Sequence, residues 1–63
     1  MTFKKISTEN WKASKGNKTF YIDKEINGIY SIYFLTILEN ENIILQGSDF
    51  LKLNEAKKYA KQY

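Results

Sequence analysis

The fold is decided by the stretch TFYIDKEINGIYSIYFLTIL, which runs from Thr19 to Leu38. Two runs of β-branched and aromatic residues, the side chains that favour strands, meet in this stretch at the pair Asn27-Gly28. An Asn-Gly pair between such runs is the strongest short-range signal for a β-hairpin, because a type I′ turn needs positive φ at both central residues. The sequence therefore predicts two antiparallel strands joined by a turn at positions 27 and 28.

A two-residue turn at these positions also sets the register of the two strands. The predicted cross-strand pairs are Ile26 with Ile29, Lys24 with Ser31, Ile22 with Tyr33, and Phe20 with Leu35. One face of the hairpin is then apolar and suited to packing against a helix. The opposite face carries aromatic and acidic side chains together.

Further strands and a helix are predicted on either side of this hairpin. A turn at residues 39–42 returns the chain into a third strand over residues 43–46, and Gly47-Ser48-Asp49 is predicted to end it. Residues 2–6 form a possible short fourth strand. After Gly47 the apolar period changes from two to about 3.6 residues, which predicts an amphipathic helix. Its predicted buried stripe consists of Leu53, Ala56, Ala60 and Tyr63, with Tyr59 beside it.

The start of this helix is less sharply indicated than its buried stripe. Ser48 or Asp49 can cap it, whereas a start near Leu53 has no good capping residue. The whole chain of 63 residues is long enough for one small domain only. We therefore predict a single α+β domain over residues 1–63, with a three- to four-stranded antiparallel sheet and one C-terminal helix packed on one face, in the order β-β-β-α.

Composition excludes several classes of function. The chain has no Cys and no His, so disulfides, thiolate or imidazole catalysis and zinc fingers are not expected. No Gly-rich phosphate loop is present, and the carboxylates of Asp23 and Glu25 have no neighbouring groups suited to acid–base work. We predict no enzymatic activity, no metal and no cofactor. No apolar run approaches the roughly 20 residues of a membrane span, and a soluble, cytoplasmic protein without a membrane partner is expected.

The aromatic and acidic face of the hairpin is the first candidate site. Its predicted partner-binding residues are Tyr21, Asp23, Glu25, Tyr30, Ile32 and Phe34. One helix cannot cover both faces of a sheet, so this face must be covered by the N-terminal segment with Phe3 and Trp11, by a second copy in a homodimer, or by a partner. Aromatic anchors among polar groups are typical of the centres of protein interfaces. Such an acidic face suits a basic partner, including a nucleic-acid-binding protein.

Lysine side chains provide the second candidate site. The net charge is +3, and all ten basic residues are Lys, which permits contact with phosphates without the bidentate grip of Arg. The residues that would hold nucleic-acid phosphates in this alternative are Lys12, Lys15, Lys18, Lys57, Lys58 and Lys61. On the sheet face itself, Asp23 and Glu25 would repel a nucleic acid.

The order of three strands and a helix, with Gly47-Ser48-Asp49-Phe50 at the junction and Glu55-Ala56 and Ala60 on the helix, resembles the arm-type DNA-binding domain of phage and transposon integrases. The resemblance spans residues 11–63 at most. It implies that the sheet enters the DNA major groove, with Tyr21, Asp23, Tyr30 and Ile32 against the DNA.

In size and style the chain also resembles short proteins of phages and other mobile elements, among them anti-CRISPR proteins, which block a host or defence protein by direct contact. The sequence accordingly predicts a non-enzymatic binding protein of phage or mobile-element type, an inhibitor or regulator acting by protein–protein contact. A DNA-binding module similar to the integrase domain is the alternative.

Overall fold

Five antiparallel strands follow one another along the chain and lie side by side in that same order. They are seen in a computed structural model that describes all residues, 1–63. The strands are β1 (Lys4–Ser7), β2 (Asn10–Lys15), β3 (Lys18–Asn27), β4 (Tyr30–Glu39) and β5 (Asn42–Phe50), and they are followed by the helix α1 (Leu53–Ala60). The predicted α+β class and antiparallel sheet are confirmed, but the predicted number of three to four strands is too low.

The N-terminal segment contributes β1, which overlaps the predicted fourth strand over residues 2–6, and β2, which was not predicted. Strand β2 has only two apolar side chains, Trp11 and Ala13, and its pattern is too weak to be recognised on its own. They alternate with polar residues, as period-two strand geometry requires. In the sheet Ala13 lies opposite Phe20 and Trp11 opposite Ile22. Pairing with the strongly patterned β3 therefore makes a strand of this segment.

The turn of the central hairpin lies one residue later than predicted. Asn27 remains in β3 and pairs with Tyr30, so Gly28 and Ile29 form the turn. Only Gly28 of these two has positive φ, at 67°, as expected for Gly at the first central position of a type II′ turn. The predicted type I′ turn at positions 27 and 28 is wrong.

This shift also changes the register of the hairpin. Phe20 lies opposite Ile37, and Ile22 opposite Leu35, so the predicted pairs are each displaced by two residues. The observed register brings Ile37 beside Phe20, whereas the predicted one would have placed it beside Lys18. Because side chains alternate with a period of two, the displacement leaves every residue on its predicted face.

Strand β5 does not end at Gly47 but continues to Phe50. Its pairing with β4 shifts twice, and Gly47, with φ of 66°, lies at the second irregularity. A glycine at positive φ is typical of a β-bulge, which inserts an extra residue without ending the strand. After the bulge, Asp49 lies opposite Phe34 and Phe50 opposite Tyr33.

The helix packs on one face of the sheet through the predicted stripe. Ala56 and Ala60 are fully buried with four sheet residues (Phe20, Ile22, Leu35 and Ile37) and the nearly buried Ala13. Leu53, Tyr59 and Tyr63 pack at the edge of this core. The helix begins after Lys52, which makes no side-chain capping bond. Ser48 and Asp49, which were considered as capping residues, lie in β5 and do not cap it. The helix is too short and too polar to span a lipid bilayer.

The end of the chain is held by polar contacts as well as by packing. The Lys18 ammonium group donates a hydrogen bond of 2.8 Å to the main-chain oxygen of Tyr63. The hydroxyl oxygens of Tyr59 and Tyr63 lie 3.5 Å apart. The hydrogen bond between these two hydroxyl groups, together with partial removal from water, raises the pKa of Tyr63 above its ordinary value of 10.0. Lys18 thus has a structural role in anchoring Tyr63, which follows the helix.

The turn between β4 and β5 leads to a prediction about stability. Asn40 and Glu41 have positive φ values of 51° and 69°, a conformation that costs an ordinary L-residue about 1–2 kcal/mol. Replacing Glu41 by glycine, which creates the preferred Asn-Gly turn, is expected to raise the free energy of unfolding by about 1 kcal/mol after the entropy of the more flexible unfolded chain is subtracted. Urea denaturation followed by circular dichroism measures this change.

The matched control is Glu41→Gln, which removes the charge but keeps the side chain at positive φ. It should leave the denaturation midpoint unchanged. Equal stabilisation by both variants would show that charge, and not backbone conformation, limits this turn.

Candidate functional site

The face of the sheet opposite the helix, here called the open face, is exposed. The hypothesis that the N-terminal segment folds over it is wrong. Trp11 and Ala13 alternate onto the helix face, where the Trp11 ring lies 6.0 Å from that of Tyr33. Phe3 also packs on that side, with its ring 6.3 Å from the ring of Phe20. Phe3, Trp11 and Ala13 therefore complete the core instead of covering the open face.

The six predicted partner-binding residues lie together on the open face. Asp23 lies opposite Phe34, and Glu25 opposite Ile32. Tyr21 and Tyr30 extend the same face on β3 and β4. Tyr21, Ile32 and Phe34 are half-buried by their neighbours, whereas the carboxylates and Tyr30 are exposed. The result is an apolar centre with acidic groups at its margin.

One cross-strand row of the open face combines aromatic and acidic side chains. Phe34 has Asp23 opposite it on β3 and Asp49 opposite it on β5, so an aromatic ring lies between two carboxylates. Directly opposed side chains in a sheet have Cβ atoms about 4.5–5.5 Å apart. Asp49 was not predicted as a site residue, because Gly47 was interpreted as the end of the strand. The alternation of Ser48, Asp49 and Phe50 after Gly47 is the signal that indicates a bulge instead.

The carboxylates of this face are not neutralised within the molecule. The single ion pair of the structure joins Lys18 and Glu39, at 4.0 Å, so no ammonium group lies within that distance of Asp23, Glu25 or Asp49. Asp23 accepts a hydrogen bond from the side-chain amide of Asn10. Its remaining acceptor capacity and that of the other two carboxylates face solvent.

The lysines of the nucleic-acid alternative are not brought together. Lys12 lies on the open face, with its ammonium group 5.6 Å from the centre of the Tyr21 ring. Lys15 and Lys18 face each other beside the β2–β3 turn, on the side of Ala13 and Phe20. The remaining three, Lys57, Lys58 and Lys61, belong to the helix and its C-terminal end. The six side chains are therefore divided between opposite sides of the sheet.

The end of the β3–β4 hairpin extends beyond its neighbours and was not predicted as part of a site. Along β3, pairing with β2 ends at Asp23, and along β4, pairing with β5 begins only at Tyr33. Residues 25–32 therefore pair only with each other and form a two-stranded projection. Ile29 at its tip is 99% exposed and Ile26 is 64% exposed. Sequence patterning assigned Ile26 to the face under the helix, but the helix is only eight residues long and lies over β4 and β5.

Comparison with protein-family models, with curated proteins and with solved structures finds no match for this chain. Its function is therefore inferred from the chemistry of its own surface.

Proposed function

We propose that this protein is a non-enzymatic binding module that acts by direct contact with another protein through the open face. The observation that carries the proposal is the row formed by Asp23, Phe34 and Asp49. Apolar side chains at the centre of a surface, with polar groups around them, are the usual anatomy of a protein interface. Tyr21, Tyr30 and Phe34 supply aromatic anchors of the type that dominates binding energy.

The charges of the open face indicate the surface chemistry of its partner. Three carboxylates without ion partners are complementary to basic groups, and a guanidinium or ammonium group above Phe34 would also gain attraction from the aromatic ring. The partner is therefore a protein whose surface combines an apolar patch with Lys or Arg side chains. Such surfaces occur in nucleic-acid-binding channels.

This partner chemistry supports a role as an inhibitor or regulator of phage or mobile-element type. A small acidic face that occupies the basic channel of a host or defence protein would exclude the nucleic acid, as an anti-CRISPR-like inhibitor would. The mechanism is stoichiometric, because it requires only that the two surfaces remain in contact.

DNA binding is the second candidate. It is supported by the position of Lys12 beside Tyr21 on the open face, the face that would enter the major groove if the domain worked as the integrase arm-binding domain does. Against it stand Asp23, Glu25 and Asp49, whose charges repel phosphates and outnumber those of the two lysines, Lys4 and Lys12, on this face. Protein binding is the better match to the charge pattern.

Affinity capture with three forms of the protein tests the proposal. The wild type is compared with Tyr30→Ser/Phe34→Ser and with Lys57→Gln/Lys58→Gln/Lys61→Gln, after circular dichroism has shown that each variant is folded. A protein retained by the wild type and the lysine variant, and lost by the aromatic variant, is the expected result. Loss with the lysine variant alone would move the site to the helix.

Titration with mixed-sequence duplex DNA separates the two candidates. Amide chemical shifts of labelled protein are recorded at roughly 50 and 200 mM salt, a range over which phosphate-driven binding weakens steeply. We expect no saturable shifts in the helix or at Lys15 and Lys18 at either salt concentration. Salt-sensitive shifts confined to the helix and residues 12–18 would support DNA binding and contradict the role assigned to the open face.

A further inference from the structure

The open face contains a depression of about 300 Å³ over strands β1 and β2. It is lined by Thr2, Lys4, Ile6, Lys12 and Ser14, none of which belongs to the proposed partner-binding residues. Its volume is at the lower end of the range for small-molecule sites. It lies beside the acidic and aromatic half of the open face but has the opposite charge.

The arrangement of Lys4 and Lys12 favours binding of an anion. Lys4 and Lys12 lie directly opposite each other on neighbouring strands, and like charges in that position repel and destabilise a sheet. Neither ammonium group has a carboxylate within 4.0 Å, because the single ion pair lies elsewhere. The Tyr21 ring, 5.6 Å from the Lys12 ammonium group, offers only a weak cation–π contact. An anion between the two ammonium groups would turn their repulsion into attraction.

The other lining residues indicate which anion. Thr2 and Ser14 add hydroxyl donors beside the lysines, and a single carboxylate would balance only one of the two positive charges. Two positive charges match a dianion with three terminal oxygens, which is a phosphate monoester or inorganic phosphate. Ile6 provides an apolar wall for the group that carries the phosphate. We propose that this depression binds the phosphate dianion of a small phosphorylated molecule.

The test is an NMR titration of the purified, isotope-labelled chain with sodium phosphate, compared with sodium chloride at the same ionic strength and pH. We expect saturable amide shifts at residues 2–6 and 12–14 with phosphate and none with chloride. Lys12→Gln and Lys4→Gln should each weaken binding about tenfold, the loss expected for one charge-assisted hydrogen bond. The matched control Lys52→Gln, an exposed lysine that is assigned to neither candidate site, should leave the affinity unchanged.

Phenyl phosphate and dimethyl phosphate identify the source of the phosphate group. The first is a dianion like a phosphorylated metabolite or side chain, and the second is a monoanion like the backbone of a nucleic acid. Phenyl phosphate should bind at least as tightly as inorganic phosphate, and dimethyl phosphate about tenfold more weakly. Equal affinities for the two would overturn the assignment to a dianion.

The site itself would be overturned if chloride produced the same shifts as phosphate, or if the phosphate shifts spread over the helix lysines. The wild-type titration alone gives this result, so it does not depend on the folding of a variant. Because the partner protein is not used, the outcome is also independent of the proposed protein-binding function.

Discussion

Replacing Phe20 by alanine is expected to lower the free energy of unfolding by about 3–5 kcal/mol, the usual cost of removing a buried aromatic side chain. Phe20 is fully buried, lies between Ala13 and Ile37 in the sheet, and forms a T-shaped aromatic pair with Phe3. A domain of 63 residues has a total stability of about 3–9 kcal/mol. The variant should therefore be largely unfolded, or close to it, at room temperature.

Urea denaturation followed by far-ultraviolet circular dichroism measures the effect. The matched control is Ile29→Ala, which removes a large apolar side chain that is 99% exposed at the hairpin tip and should change stability by no more than about 0.5 kcal/mol. A loss of less than about 1 kcal/mol for Phe20→Ala would be too small for any buried aromatic residue. It would place the centre of the core elsewhere.

The second large effect is expected at the open face. Replacing Phe34 by alanine should weaken binding of the captured partner about 30-fold or more, because truncating an aromatic hot spot costs about 2 kcal/mol or more. Phe34 lies outside the buried core, so the folded state should survive this change. Calorimetric titration with the protein retained by the wild type gives the affinity.

The carboxylates beside Phe34 are expected to act on binding through their charge. Asp49→Lys introduces repulsion where the proposal places a basic partner group, and it should slow association and reduce the salt dependence of binding. The control for Asp49→Lys is Glu55→Lys, the same charge reversal on the helix. The control for Phe34→Ala is Leu51→Ala, which removes an exposed apolar side chain beyond the end of β5. If Glu55→Lys weakened binding as much as Asp49→Lys, the contact would depend on net charge and not on the open face.

Local patterns were sufficient for the faces of the two long central strands and for the buried face of the helix. The alternation from Thr19 to Leu38 placed Tyr21, Asp23 and Phe34 on one face, and this assignment survived a register error of two residues. The period of 3.6 residues identified Ala56 and Ala60 as the buried positions of the helix. In both cases the apolar pattern lies within a single strand or helix, and the regular backbone repeats that pattern several times along the element.

Other features depend on contacts between distant parts of the chain. Strand β2 has a weak pattern of its own and exists because β3 offers an unpaired edge. Asp49 joins the site because Gly47 forms a bulge instead of ending β5, which is decided by pairing with β4. The pair formed by Lys4 and Lys12, which is unfavourable by itself, is likewise set by the docking of β1 on β2.

The sequence by itself thus determined the class of fold, the faces of the long strands and the absence of Cys and His. Only the tertiary structure decided the number of strands, the register and which side chains are neighbours across them. The physical reason is that alternation is a property of one strand. Register, in contrast, depends on how much apolar surface the whole sheet and its helix bury together, as the pairing of Phe20 with Ile37 shows.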